Sequence, residues 1–214
     1  MRASDLPQVI PVFPLDGVLL LPDGTLPLNV FEPRYLNMID DAMAGDRTIG
    51  IIQSRSGGDR QVPRLMEVGC VGRITSFTET PDGRYLITLT GVCRFTLRAE
   101  LDLPTPYRQV RADYAAWLDD LQAADEPDTT ARDALFEALK SYLDHRGLAM
   151  DWDAVRAAPV NALVSSLCMA LPFDSTEKQA LLEAPSPTDR HAALITLLRF
   201  DAAGGQPGEA SGLQ

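Results

Sequence analysis

Residues 12–21 form an apolar run rich in valine and leucine, broken by Asp16-Gly17 and followed by the turn tripeptide Pro22-Asp23-Gly24. In such a tripeptide proline fixes φ and glycine takes the positive φ. A second strand is expected over 26–31, then a helix. Pro33 suits a first helical turn, Glu32 lies near the positive end, and Tyr35, Leu36, Ile39 and Met43 make an apolar stripe that stops near Gly45. A short strand over 48–53 and an exposed polar loop over 54–64 precede a long alternating strand over 65–78, in which Gly69 and Gly72 mark a bulge or a close backbone approach. Pro81-Asp82-Gly83 is a second turn tripeptide, so 75–79 and 84–90 should pair as an antiparallel hairpin. Gly91 is expected to separate that strand from one over 93–101, and a last strand, 107–114, follows Pro104 and Pro106.

Beyond Trp117 the apolar period lengthens from two to nearly four. Residues 120–128 read as an acidic linker, and Leu135, Phe136, Leu139, Tyr142 and Leu143 make a helical face ending at Gly147. Asp151 caps a short helix to Ala158, Pro159 starts the next, Asp174 with Glu177 forms a capping box, and Ser186-Pro187 opens a last helix carrying Leu194 and Leu198. The class is α+β: a twisted, partly closed antiparallel β-barrel with one early helix, then a C-terminal α-helical bundle. The β-rich part is expected over 7–118, the helical part over 125–203 packed as a bundle and against the barrel, and 204–214 as a disordered tail.

Charge narrows the function. Nineteen lysines and arginines stand against 30 acidic residues, a net −11, which disfavours nucleic acid and anionic lipid. An RNA- or small-ligand-binding role stays open as the alternative, should the arginines of 54–64 cluster with Arg94, Arg98, Arg108 and Arg111. The first twenty residues hold Asp5, Pro7, Pro11 and Pro14 rather than a basic-then-apolar leader, and the three cysteines form no CxxC pair, so the cytoplasm is the expected compartment. No apolar run approaches the ~20 residues that span a bilayer.

Catalytic motifs are missing. There is no phosphate-binding GxxxxGK[ST] loop, no GxSxG elbow and no HExxH pair, and neither a metal site nor a cofactor is expected. His145 and His191 read as solvated helix histidines, and Cys70 and Cys93 as core thiols on alternating strands; an uncharacterised hydrolase using such a thiol is the weakest of three readings. No residue is given a catalytic role.

The stretch PVFPLDGVLLLPDGTLPLNVFEPRY, residues 11–35, resembles the opening of the N-terminal, substrate-binding domain of Lon proteases. The resemblance continues through Glu67-Val68-Gly69-Cys70-Val71-Gly72-Arg73-Ile74 and through Asp82-Gly83-Arg84 to Gly91-Val92-Cys93-Arg94-Phe95. Leu171-Pro172-Phe173 with residues 177–183 is similar to the tail of the stand-alone bacterial proteins of that family. The resemblance implies a PUA-like pseudo-barrel that recognises unfolded or apolar polypeptide for a quality-control system, with a separately encoded protease as a candidate partner, and that lacks the ATPase and protease parts of Lon. The signature residues Glu32, Pro33, Arg34, Tyr35, Arg94 and Phe95 read as structural, with Glu32 expected to pair Arg34 or Arg94 in an internal network joining helix and sheet. The binding surface is expected as a groove where barrel and helices join, built from Tyr107, Trp117, Met150 and Trp152, with at least one indole partly exposed.

Overall fold

The computed structural model describes residues 2–55, 63–123 and 126–204. The chain divides into two compact units, Met1–Ala123 and Ala124–Gln214.

The first unit holds six strands: β1 (Val9–Pro14), β2 (Thr25–Val30), β3 (Thr48–Ser54), β4 (Leu65–Glu79), β5 (Tyr85–Leu101) and β6 (Gln109–Asp113), with helix α1 (Pro33–Ala44) between β2 and β3. The sheet order is β2-β5-β4-β3-β1-β6, and β6 also pairs β5, so the last five strands close on themselves and β2 alone hangs outside the ring. The sheet is mixed rather than wholly antiparallel. β1 runs parallel to β3, with Val12 opposite Gly50, because the intervening β2 and α1 supply the long crossover a parallel pair requires.

Inside the ring Ile10, Val12, Ile52, Val71, Cys93, Phe95 and Val110 form the core. Its glycines are there for room. A Cβ on Gly69 would stand 2.6 Å from the Phe95 ring and one on Gly72 2.7 Å from Leu20, and the β4–β5 register shifts between Val71 and Gly72. Gly91 does not end a strand as the sequence suggests. β5 runs straight through it, and a Cβ there would fall 1.9 Å from the Leu21 carbonyl oxygen, so the glycine admits the 19–21 segment rather than breaking the ladder. That segment is buried but is not a strand. In the turn after it the positive φ belongs to Asp23, at 59°, and not to Gly24, whereas in the β4–β5 turn Gly83 takes it, at 79°.

Helix α1 buries Tyr35, Met38, Ile39 and Ala42, a stripe at the expected spacing with Met38 and Ala42 replacing the half-buried Leu36 and Met43. The Tyr35 ring packs on Phe13 of β1 at 4.1 Å between centroids. A short 3-10 helix, Ala115–Leu121, follows β6. Asp120 within it is a buried anchor of this unit, not a linker residue.

The second unit contains α2 (Thr129–Arg146), α3 (Trp152–Ala157), α4 (Val160–Ala170), α5 (Ser175–Glu183) and α6 (Pro187–Ala202), with α6 packed against α2, α4 and α5. Their ends carry the expected caps. Asp128, Asp151 and Ser186 each accept from backbone N–H groups of the first turn, Asp174 and Glu177 form a reciprocal capping box, and Gly147 closes α2 with φ 64°. Glu126, expected in a linker, instead accepts from the Val160 amide at the start of α4, 2.7 Å away. His191 is also not solvated. It lies 4% exposed inside α6, and its Nε2 has no hydrogen-bond partner among the described residues. The loop expected over 54–64 falls largely, and the tail after Gly204 wholly, outside the described residues.

Candidate functional site

Where β4 and β5 outrun the ring they form a three-stranded ribbon with β2. Thr25 to Val30 pair Thr90 to Tyr85 on one side of β5, and Ser76 to Glu79 pair Thr88 to Tyr85 on the other. Cross-strand partners share a face, so Leu26, Leu28, Ile87 and Leu89 lie on the inner face, while Thr25, Pro27, Asn29, Leu86, Thr88 and Thr90 lie on the outer. On β2 and the paired part of β5 the outer face carries no charge, and Arg73 of β4 stands opposite Thr90 at its rim. Leu86 is 45% exposed, and Phe31, immediately after β2, is 64% exposed. Phe77, also exposed, stacks edge-on with Tyr85 at 4.9 Å.

Two tyrosines, Tyr85 of β5 and Tyr107 just before β6, are fastened to α1. The Tyr85 hydroxyl donates to Asp40 at 2.9 Å and the Tyr107 hydroxyl to Asp41 at 2.6 Å. The bond to the Asp40 carboxylate raises the Tyr85 pKa, and burial followed by the Asp41 bond pushes Tyr107 up to about 12. Tyr107 is thus a buried fastening between sheet and helix, and its ring offers little surface to a ligand.

Arg94 and Trp117 belong to a second arrangement. The Arg94 guanidinium grips Asp120 with two hydrogen bonds and lies 4.1 Å over the Trp117 ring, whose Nε1 donates to the Thr96 hydroxyl at 3.1 Å. Trp117 is half-buried against the core. Glu32 pairs Arg34, one of its two expected partners, at 2.9 Å, but on the surface with both side chains about half exposed, while Arg94 pairs Asp120 in the interior, so the expected internal network is two separate pairs. Surface pairs of this kind contribute at most about 1 kcal/mol. Pro33 opens α1 and Phe95 fills the core. Met150 and Trp152, half-buried, sit in the second unit at the start of α3.

An open cleft of about 430 Å³ lies within the first unit between Arg73, Thr75, Thr90, Val92, Asp120 and Gln122. Its threonine hydroxyls bond one another at 3.1 Å and its Asp120 carboxylate is held by Arg94, while Asp23 lines the same cleft. The thiols are quiet. Cys70, Cys93 and Cys168 are buried, and burial pushes Cys93 and Cys168 up to about 12 and Cys70 further still. Among the described residues no group of His, Cys, Asp and Glu could hold a metal ion, and no helix is long and apolar enough to cross a membrane.

No motif in the sequence marks Asn29, Phe31 or Leu86 as binding residues. Phe31 closes an apolar alternation and precedes the helix start, a position whose exposure depends on how α1 departs from β2.

Similarity to known proteins follows the same elements. Residues 9–199 match the family described as the ATP-dependent protease La (LON) substrate-binding domain, a non-catalytic domain type. The chain is 32% identical over 115 residues to Lon protease 2 of Myxococcus xanthus, covering 53% of this chain and 14% of that protein. It is 24% identical over 213 residues to Lon protease of Cytophaga hutchinsonii, covering 94% of this chain and 25% of that protein. The chain therefore spans a quarter or less of the length of these two relatives. The fold matches the crystal structure of a Lon N-terminal domain protein from Xanthomonas campestris, with TM-score 0.63 and 23% identity over 89% of this chain and 96% of that one. It also matches the N-terminal domain of Mycobacterium avium complex Lon protease, with TM-score 0.62 and 19% identity over 89% and 97%. The chain belongs to the Lon substrate-binding domain family.

Proposed function

We propose that this chain acts as a non-catalytic module that captures unfolded or apolar polypeptide for a protein quality-control system and hands it to a protease. The observation that carries this reading is the match of the substrate-binding family over 9–199, which takes in elements of both compact units. The chemistry agrees with it: buried, high-pKa thiols leave no nucleophile among the cysteines, while Phe31 and Leu86 offer apolar surface. The half-buried Trp117, Met150 and Trp152 are further contact candidates, since aromatic side chains dominate binding once desolvated. The net charge of −11 works against nucleic acid as the ligand.

Calorimetric titration of the full chain with reduced, carboxymethylated α-lactalbumin tests the proposal. Saturable binding with a micromolar Kd is expected, the strength typical of small transient contacts. No saturable heat at hundred-micromolar concentrations would overturn it.

A further inference from the structure

β2 ends the strand order, and among the described residues it pairs only β5. The direction in which each of its backbone groups points follows from the ladder. The Gly91 amide donates to the Gly24 carbonyl at 2.8 Å while the Gly91 carbonyl accepts from the Asp23 amide at 3.0 Å, so Asp23 and Gly24 together stand opposite Gly91 and the Gly24 carbonyl points toward β5 just outside the β2–β5 register. Bonded and non-bonded pairs alternate along an antiparallel ladder, so Leu26, Leu28 and Val30 turn their backbone groups toward β5 while Thr25, Pro27 and Asn29 turn theirs outward. Pro27 fits this phase, because a proline facing β5 would cost the ladder a donor.

The outer edge therefore presents the carbonyls of Thr25, Pro27 and Asn29 and the amides of Thr25 and Asn29. All three residues are exposed, and their outward backbone groups make no hydrogen bond among the described residues. Natural sheets usually blunt such an edge with charge, a bulge or a covering element. Here the strand TLPLNV has no charged residue, its register with β5 is continuous, and Pro27 is the one blunting device it carries. The exposed Phe31 extends the edge with apolar surface.

We infer that an extended segment of unfolded polypeptide adds to the outer edge of β2 as a further strand, held by main-chain hydrogen bonds to Thr25, Pro27 and Asn29 and by apolar contact with Phe31 and Leu86. This rests on the polypeptide-binding function proposed above and specifies its site. The occupant is fixed by complementarity: an alternating row of main-chain acceptors and donors on an uncharged edge suits another extended main chain and reads no particular side-chain sequence. Such a site accepts many unrelated segments, provided they are unfolded.

The phase of the ladder gives a selective test. Asn29→Pro deletes an outward amide and leaves every bond to β5 in place, whereas Pro27→Ala adds the outward amide now missing. With carboxymethylated α-lactalbumin as the probe, Asn29→Pro should weaken Kd about five- to ten-fold, the equivalent of one net hydrogen bond or slightly more, and Pro27→Ala should tighten it. Hydrogen exchange of the unmodified chain provides a readout free of any folding defect: the Thr25 and Asn29 amides should exchange fast alone and slowly with the probe. Unchanged binding by Asn29→Pro together with unprotected amides would overturn the site while leaving the proposed function standing. Absence of any binding by the unmodified chain would instead remove the function itself. Protection of the same amides by increasing protein concentration alone, with sedimentation showing a dimer, would assign the edge to a second copy and overturn the inference.

Discussion

Arg94 and Asp120 form a buried bidentate pair: Nε meets Oδ2 at 2.8 Å and Nη2 meets Oδ1 at 2.7 Å, and the two side chains are 3% and 7% exposed. Asp120 Oδ2 also accepts from the Arg94 backbone amide at 2.9 Å. The pair fixes the 3-10 helix Ala115–Leu121 onto β5, and with it the Trp117 ring that Arg94 covers. Removing one partner strands a charge in the interior. Asp120→Ala or Arg94→Ala should each cost about 3–5 kcal/mol in urea unfolding, while the double change Arg94→Met with Asp120→Leu should cost less than either. A loss below about 1 kcal/mol for a single change would show that the pair is not structurally important.

The two glycines at 83 and 91 should respond very differently to alanine. At Gly91 the new Cβ meets the Leu21 carbonyl carbon and oxygen, backbone atoms that cannot step aside, and a loss of about 3 kcal/mol or more is expected. At Gly83 the Cβ meets nothing within 4 Å, and only the left-handed φ of 79° opposes it, at about 1–2 kcal/mol. Paired denaturation curves check the order; equal losses would contradict it.

These two positions also show what the sequence made legible. The helix caps at Asp151, Asp174 with Glu177, Ser186 and Gly147 were readable because each bond closes within a few residues. The β4–β5 hairpin was readable for the same reason. Gly91 looked like a strand end because the feature that requires it, Leu21, lies seventy residues earlier in the chain. Asp120 looked like linker because its partner lies 26 residues back, and the parallel β1–β3 pair left no local mark. The outer edge of β2 was hidden for a related cause. A strand's alternation reports which face is buried, but only the sheet order tells which edge has a neighbour.

His191 makes stability depend on pH in a defined direction. Burial lowers its pKa below the ordinary value of about 6.5, so the folded chain resists protonation that the unfolded chain accepts. Above about pH 6.5 the residue is neutral in both states and contributes no slope. As pH falls below that value the unfolded state binds the proton first, and stability drops until the lower folded-state pKa is reached. Urea midpoints between pH 7.5 and 5 should therefore decline, and His191→Leu should flatten the decline in that window. A slope unchanged in the variant would assign it to other groups.

All three thiols should be silent in the folded state. At pH 7.5 iodoacetamide should label Cys70, Cys93 and Cys168 only at the rate of unfolding, because burial holds each as the neutral thiol. Fast modification of any one in the native chain would reopen a nucleophilic role.

Capture of unfolded chain is tested most directly by competition. Fluorescein-labelled carboxymethylated α-lactalbumin is bound to the full chain, and its anisotropy is followed as unlabelled carboxymethylated or native α-lactalbumin is added. The two competitors differ in disulfides, carboxymethyl groups and folded state, so a parallel titration at the same pH with the reduced, carbamidomethylated form, which is unfolded but lacks the added carboxylates, separates the charge of the modification from conformation. Displacement by the unfolded forms with at least a ten-fold advantage over the native form, about 1.4 kcal/mol, is predicted. Equal displacement by the native protein, or no displaceable complex at all, would contradict the account.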